Sequence, residues 1–156
     1  MPETPPARHA SVVHAYLHGF GASPAAPMGE ALQEAFASRG VELLVPDLNQ
    51  PSLRALSLRA VWAHLEALDA SLGHPRWRLV GSSLGGWMSA RMAREWARVD
   101  RAVLLAAPHE LRALWERVVP EAARAARKEK GSILLPDGRG KLQRIGYGFY
   151  EDVVAM

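Results

Sequence analysis

Short apolar runs alternate with segments of helix length along this chain, and that alternation restricts its possible folds more than any other feature. "SVVHAYL" at 11–17, "VELLVPDL" at 41–48, "RWRLVGS" at 76–82 and "RAVLLAAP" at 101–108 read as strands. Between the first two lies "GASPAAPMGEALQEAFASRG", with Leu32 and Phe36 four residues apart. The next intervening segment carries Leu58, Val61, Trp62, Leu65, Leu68 and Leu72 at helical spacing, and the third is "SLGGWMSARMAREWA" at 83–97. Gly40 and Gly73 stand where helices end. Strands joined by helices of this length form parallel βαβ units, and near-continuous apolar strands suit a sheet covered on both faces. The expected fold class is α/β, a doubly wound, mostly parallel sheet of about four strands.

The remainder differs in pattern. "HELRALWERVVPEAARAARKEKG" at 109–131 reads as helical, interrupted by Pro120. "SILLPDGRGKLQRI" reads as a β-hairpin turning at Pro-Asp-Gly-Arg-Gly, and "YGFYEDVVAM" begins another helical or irregular segment. Residues 1–156 are expected to form one domain, with 1–10 a flexible tail and 131–150 a hairpin lying like a cap.

Several function classes drop out. The chain has no cysteine, which removes disulfides, thiolate metal sites and cysteine nucleophiles. His14 and His18, four apart on a strand, sit about 13 Å from each other and make no metal pair; no metal signature is present, and no cofactor is implied. The opening "MPETPPARHA" is polar and has no signal-peptide core. The apolar runs are too short to span a bilayer, so the expected compartment is the cytoplasm. A net charge of +3 is modest, and the densest basic run, "RAARKEK" at 124–130, has Glu121 and Glu129 beside it. That reads as a solvated helix face rather than a nucleic-acid surface.

The stretch Gly81-Ser82-Ser83-Leu84-Gly85 follows a strand, precedes a helix and fits G-x-S-x-G, the nucleophile elbow. Such a turn is so sharp that its serine is strained, and small residues on either side let strand and helix approach. The Leu84 N–H would then lie at the helix start, where partial positive charge and free donors stabilise an oxyanion. "HGFG" at 18–21 follows the first strand and offers the Phe20 N–H as a second donor. A serine in a mere tight turn is the alternative. A phosphate loop is not, because "GSSLGG" has neither dinucleotide nor P-loop spacing.

With "YLHGF" at 16–20, "VPDLN" at 45–49 and "GSSLGGW" at 81–87, the chain resembles the α/β-hydrolases, and among them small bacterial esterases of the YqiA type. "RIGYGFYEDV" at 144–153 adds to that resemblance. The resemblance implies Ser83 as nucleophile, the Phe20 and Leu84 amides as oxyanion hole, and His18, Gly19, Gly81 and Gly85 as supports. His18 would orient the oxyanion loop, and Asp47 would anchor a turn rather than serve as catalytic acid.

The family's order is Ser, then Asp or Glu, then His. Here the histidine downstream of Ser83 is His109 alone, beside Glu110, and no residue matches the family's acid or base. His109 is therefore a substitute candidate for the base. The other histidines read as core (His14), tail (His9), helix surface (His64) and loop (His74). A sequence stopping here reads as a truncation, or as a chain completed by a partner, with the fourth strand an exposed edge prone to self-association. The expected activity is hydrolysis of small-molecule carboxylic esters or thioesters of small acyl groups through a Ser83 acyl-enzyme, weak or absent in this chain alone unless His109 or a second subunit supplies the base. The competing expectation is a non-catalytic binding or assembly module. Trp87, Trp115 and the hairpin are candidates to line or cap the pocket.

Overall fold

The computed structural model describes residues 11–119, 121, 131–136 and 140–155. β1 (Val12–Leu17) passes through α1 (Pro27–Ala37) to β2 (Leu43–Leu44). Pro27 opens α1, where a missing N–H removes no helical bond, and the chain leaves through Gly40 at φ 69. A 3-10 turn at Leu53–Ala55 precedes α2 (Leu58–Ser71). Ser57 sets the start of α2, its Oγ accepting the Ala60 N–H at 3.0 Å. The inner stripe Leu58, Val61 and Leu65 is buried, each side chain contributing about 1.5–3 kcal/mol. β3 (Arg76–Ser82), α3 (Leu84–Glu95), β4 (Val99–Leu105) and α4 (Leu111–Val118) follow, then β5 (Ser132–Pro136), β6 (Leu142–Gly146) and α5 (Tyr147–Val154).

The main sheet has the order β2-β1-β3-β4, with every pairing parallel. This is the expected α/β sheet of four strands. β1 and β3 are neighbours, with Leu17 opposite Gly81, so their carboxyl ends open side by side.

Two strand boundaries differ from the sequence reading. The second strand shrinks to Leu43–Leu44, paired with His14 and Ala15, because Pro46 lacks an N–H and the segment lies at the sheet margin. The fourth begins at Val99 rather than Arg101. Asp100 is held there by Arg76 and Arg78 of β3, so charged residues join a strand whose outer side is open. β4 is the outermost strand, and Val103 and Leu104 are 53% and 46% exposed.

α4 ends before Pro120, as the proline requires. The basic run at 124–130 and the tail at 1–10, His9 included, lie outside the described residues. The hairpin forms as β5 antiparallel to β6, a separate two-stranded sheet. It is fastened to the segment before α2. A Cβ at Gly146 would run into the Arg54 carbonyl. Asp152 of α5 accepts the Arg59 backbone N–H at 3.0 Å and its Nε–H at 2.8 Å. Phe149 and Val153 thereby enter the same core as Trp77, Leu79 and Met88.

At the opposite end of the sheet, Asp69 interrupts the apolar stripe of α2 and is 3% exposed. Its carboxylate accepts from Trp77 Nε1 at 2.8 Å, His74 Nδ1 at 2.6 Å and Arg98 at 2.5 Å. Burial pushes the Asp69 carboxyl up, but those hydrogen bonds and the Arg98 and His74 charges outweigh it and hold the group below its ordinary 3.8. His74 is thus more than a loop residue, since it caps this cluster from a backbone at φ 57. His14 sits edge-on to Phe36, ring centres 5.9 Å apart, and is partly exposed rather than fully core.

Among the described residues, no helix is long and apolar enough to cross a membrane. No group of three or more His, Asp or Glu among them is placed to hold a metal ion.

Candidate active site

The crevice at the carboxyl ends of β1 and β3 is built by close backbone approach. A Cβ at Gly85 would overlap the Leu17 carbonyl and come within 2.6 Å of the His18 oxygen. One at Gly81 would strike the Gly85 carbonyl and Ser89 Oγ, and one at Gly86 would lie 2.8 Å from Ala107 Cβ. Ser89, fully buried, donates back to the Gly85 carbonyl at 2.8 Å. Small residues at 81, 85 and 86 therefore let the first turn of α3 sink against β1 and β3. Any larger side chain there separates helix from sheet.

Ser83 joins the two at φ 51, ψ −117, a conformation that L-residues rarely hold. Its N–H donates to the Leu105 carbonyl at 2.9 Å, extending the β3–β4 ladder, and its carbonyl accepts the Trp87 N–H at 3.0 Å, starting the helix. A serine in that position commonly spends its hydroxyl as an N-cap; Ser83 makes no such bond. Leu84 is the first residue of α3, so its N–H has no intrahelical acceptor, and the positive end of the helix dipole lies beside the Ser83 hydroxyl.

The loop after β1 lies against this elbow. A Cβ on Gly19 would be 3.4 Å from Ser83 Cβ. His18 is 1% exposed and is committed to structure: its Nε2 accepts the Leu48 N–H at 3.0 Å, and its Nδ1 is left to donate to the Gly19 carbonyl at 2.9 Å. Asp47 Oδ1 lies 3.7 Å from that Nε2 but accepts the Asn49 N–H at 3.0 Å, in a turn. Asn49 in turn donates to the Ala22 carbonyl at 2.6 Å, tying the loops after β1 and β2 together.

Ser83 opens on a cavity of about 180 Å³ whose other walls are Phe20, Leu84, Leu111, Leu114, Trp115, Val118, Pro136 and Phe149. Of the pocket candidates, Trp115 and the hairpin segment, through Pro136 and Phe149, do line it. Trp87 does not. It borders a second, wider cavity of about 620 Å³ with His109, Arg91, Arg94, Glu110 and Arg112. Leu111 is the wall common to both cavities. Among the described residues, no hydrogen bond joins Ser83 and His109.

Of the α4 wall only Trp115 was singled out from the sequence, although Leu111, Leu114, Trp115 and Val118 recur at i, i+3, i+4 and i+7 and so mark one helix face. The Phe149 wall has no comparable signal, because it depends on where the hairpin docks.

A model of a family described as an uncharacterised protein family, UPF0227, matches residues 13–130. No curated protein matches the chain. Solved structures do. One, from Agrobacterium vitis S4 and provisionally named a hydrolase, is 21% identical with a TM-score of 0.75, over 93% of this chain and 61% of that one. Alpha/beta hydrolase domain-containing protein 10 from mouse is 20% identical with a TM-score of 0.68, covering 91% and 60%. Est1E from Butyrivibrio proteoclasticus is 15% identical with a TM-score of 0.68, covering 95% and 60%. At these identities the likeness establishes the fold, which is that of the α/β-hydrolases. The chain spans 60–61% of the length of these three structures.

Proposed function

The chain belongs to the uncharacterised protein family UPF0227, and from its α/β-hydrolase fold we propose a serine hydrolase acting on carboxylic esters or thioesters through an acyl-enzyme on Ser83. The observation that carries this reading is the Ser83 backbone at φ 51, ψ −117, in a residue that lines the cavity and leaves its hydroxyl out of helix capping. Backbone strain of this kind persists only where the surroundings hold it, and such residues cluster at functional sites.

In the proposed reaction Ser83 Oγ attacks the acyl carbon while its proton passes to a base. The carbonyl oxygen becomes an oxyanion between the Leu84 and Phe20 N–H groups, the alcohol or thiol leaves with a proton, and water then releases the acid. The hydrogen bonds of His18 support its role as the brace of the Phe20 loop rather than as the base. His109 is the candidate base. It lines the neighbouring cavity, which shares Leu111 as a wall with the cavity of Ser83.

A fluorophosphonate probe tests this reading. Wild-type protein is expected to be labelled once, and Ser83→Ala to show background labelling only. A His109→Ala variant labelled at the wild-type rate would remove His109 as base. Failure of folded wild-type protein to label would favour a binding or assembly module instead, a reading that the open side of β4 supports.

A further inference from the structure

Which acyl group reaches Ser83 is decided by the cavity above it, and this inference rests on the nucleophile reading of that serine. Phe20, Trp115 and Phe149 form a closed ring cluster, with centroids 5.2, 5.1 and 5.0 Å apart. α4 lays Leu111, Leu114, Trp115 and Val118 along the same space. Leu111, Trp115 and Phe149 are buried and make the closed end, whereas Val118 is 60% exposed and stands at the mouth. Among the lining residues the Ser83 hydroxyl and the Trp115 indole N–H are the only polar side-chain groups, and none is charged.

An apolar engineered cavity of roughly 150 Å³ stays dry and takes up benzene, so a space of about 180 Å³ holds six carbons or slightly more. We propose that this is an acyl chamber for a neutral apolar group of about six carbons, straight-chain or aromatic, such as hexanoyl or benzoyl. Each methylene added up to that length gains about fourfold in binding from apolar burial. Beyond it the chain emerges past Val118 and gains nothing, so affinity levels off rather than falls. A carboxylate at the far end of the acyl chain would be buried without a cationic partner and is rejected.

The test separates the chamber from the chemistry. In Ser83→Ala, which cannot react, binding of 1-alkanols from ethanol to decanol is followed by thermal shift and ligand-observed NMR. Affinity is expected to rise about fourfold per carbon up to 1-hexanol and then to flatten. Leu114→Trp, which fills the chamber from a half-buried position, should weaken 1-hexanol at least tenfold with ethanol unchanged. Val118→Trp at the mouth is the second obstructing variant if the first misfolds. In wild-type protein, p-nitrophenyl hexanoate should be turned over in preference to the p-nitrophenyl monoester of adipic acid.

Affinity that ignores chain length, or obstruction without effect, overturns the chamber even in protein that a fluorophosphonate labels. Length-dependent binding in a protein that never labels upholds the chamber and overturns Ser83 as nucleophile.

Discussion

Gly85→Ala is expected to lower the unfolding free energy by about 4 kcal/mol or more, at the extreme of what a single methyl group does. The added carbon would overlap the Leu17 carbonyl and crowd that of His18. Both obstacles are backbone, one at the end of β1, where Leu17 is paired with Gly81 of β3, and one just beyond it, so neither can rotate away as a side chain would. Relief requires α3 to back out of the sheet, which opens the contacts of Gly81 and Gly86 as well. For a chain of this size the melting temperature should fall by roughly 10 °C or more, measurable by calorimetry or urea titration. Gly148→Ala is the control. Its nearest obstacle is Ser57 Cβ at 4.0 Å, and alanine inside α5 should leave stability unchanged or raise it by up to about 1 kcal/mol.

The second large effect is at the other end of the sheet. Asp69→Ala strips one buried acceptor from Trp77, His74 and Arg98 together, and is expected to cost about 3–5 kcal/mol. Because the Asp69 carboxyl is held below 3.8 in the fold, its contribution is complete above the unfolded-state value. It is lost as pH falls through the still lower folded value. The gap between wild type and Asp69→Ala should therefore narrow as pH falls below about 4. Urea unfolding of both proteins across that range checks it, and a gap that widened in acid would contradict the assignment. Since this cluster lies far from Ser83, any labelling by a fluorophosphonate should survive in the fraction that remains folded.

Where one local pattern decided the structure, the sequence was readable. β3 occupies 76–82 as read, because one apolar run between Pro75 and the Ser83 turn leaves little choice. The glycines at 81 and 85 announced the close approach that their surroundings require. Reading failed where distant segments decide. Val99 and Asp100 look like loop residues until Arg76 and Arg78 are placed beside Asp100. Asp69 looks like a polar residue on a helix until Trp77 and Arg98 close over it. The floor of the site was legible because it is one strand–turn–helix. The 131–150 segment was legible as a candidate cap, but which of its residues meet the site was not, because Pro136 and Phe149 arrive there only through the docking of Gly146 and Asp152 beside the start of α2.

The backbone at position 83 has a consequence for the durability of the molecule. Glycine would rest at φ 51 without objection, whereas serine holds it against a preference worth about 1–3 kcal/mol. Ser83→Gly is therefore expected to be more stable than the serine form, and if Ser83 is the nucleophile proposed above, that gain would come at the expense of the reaction.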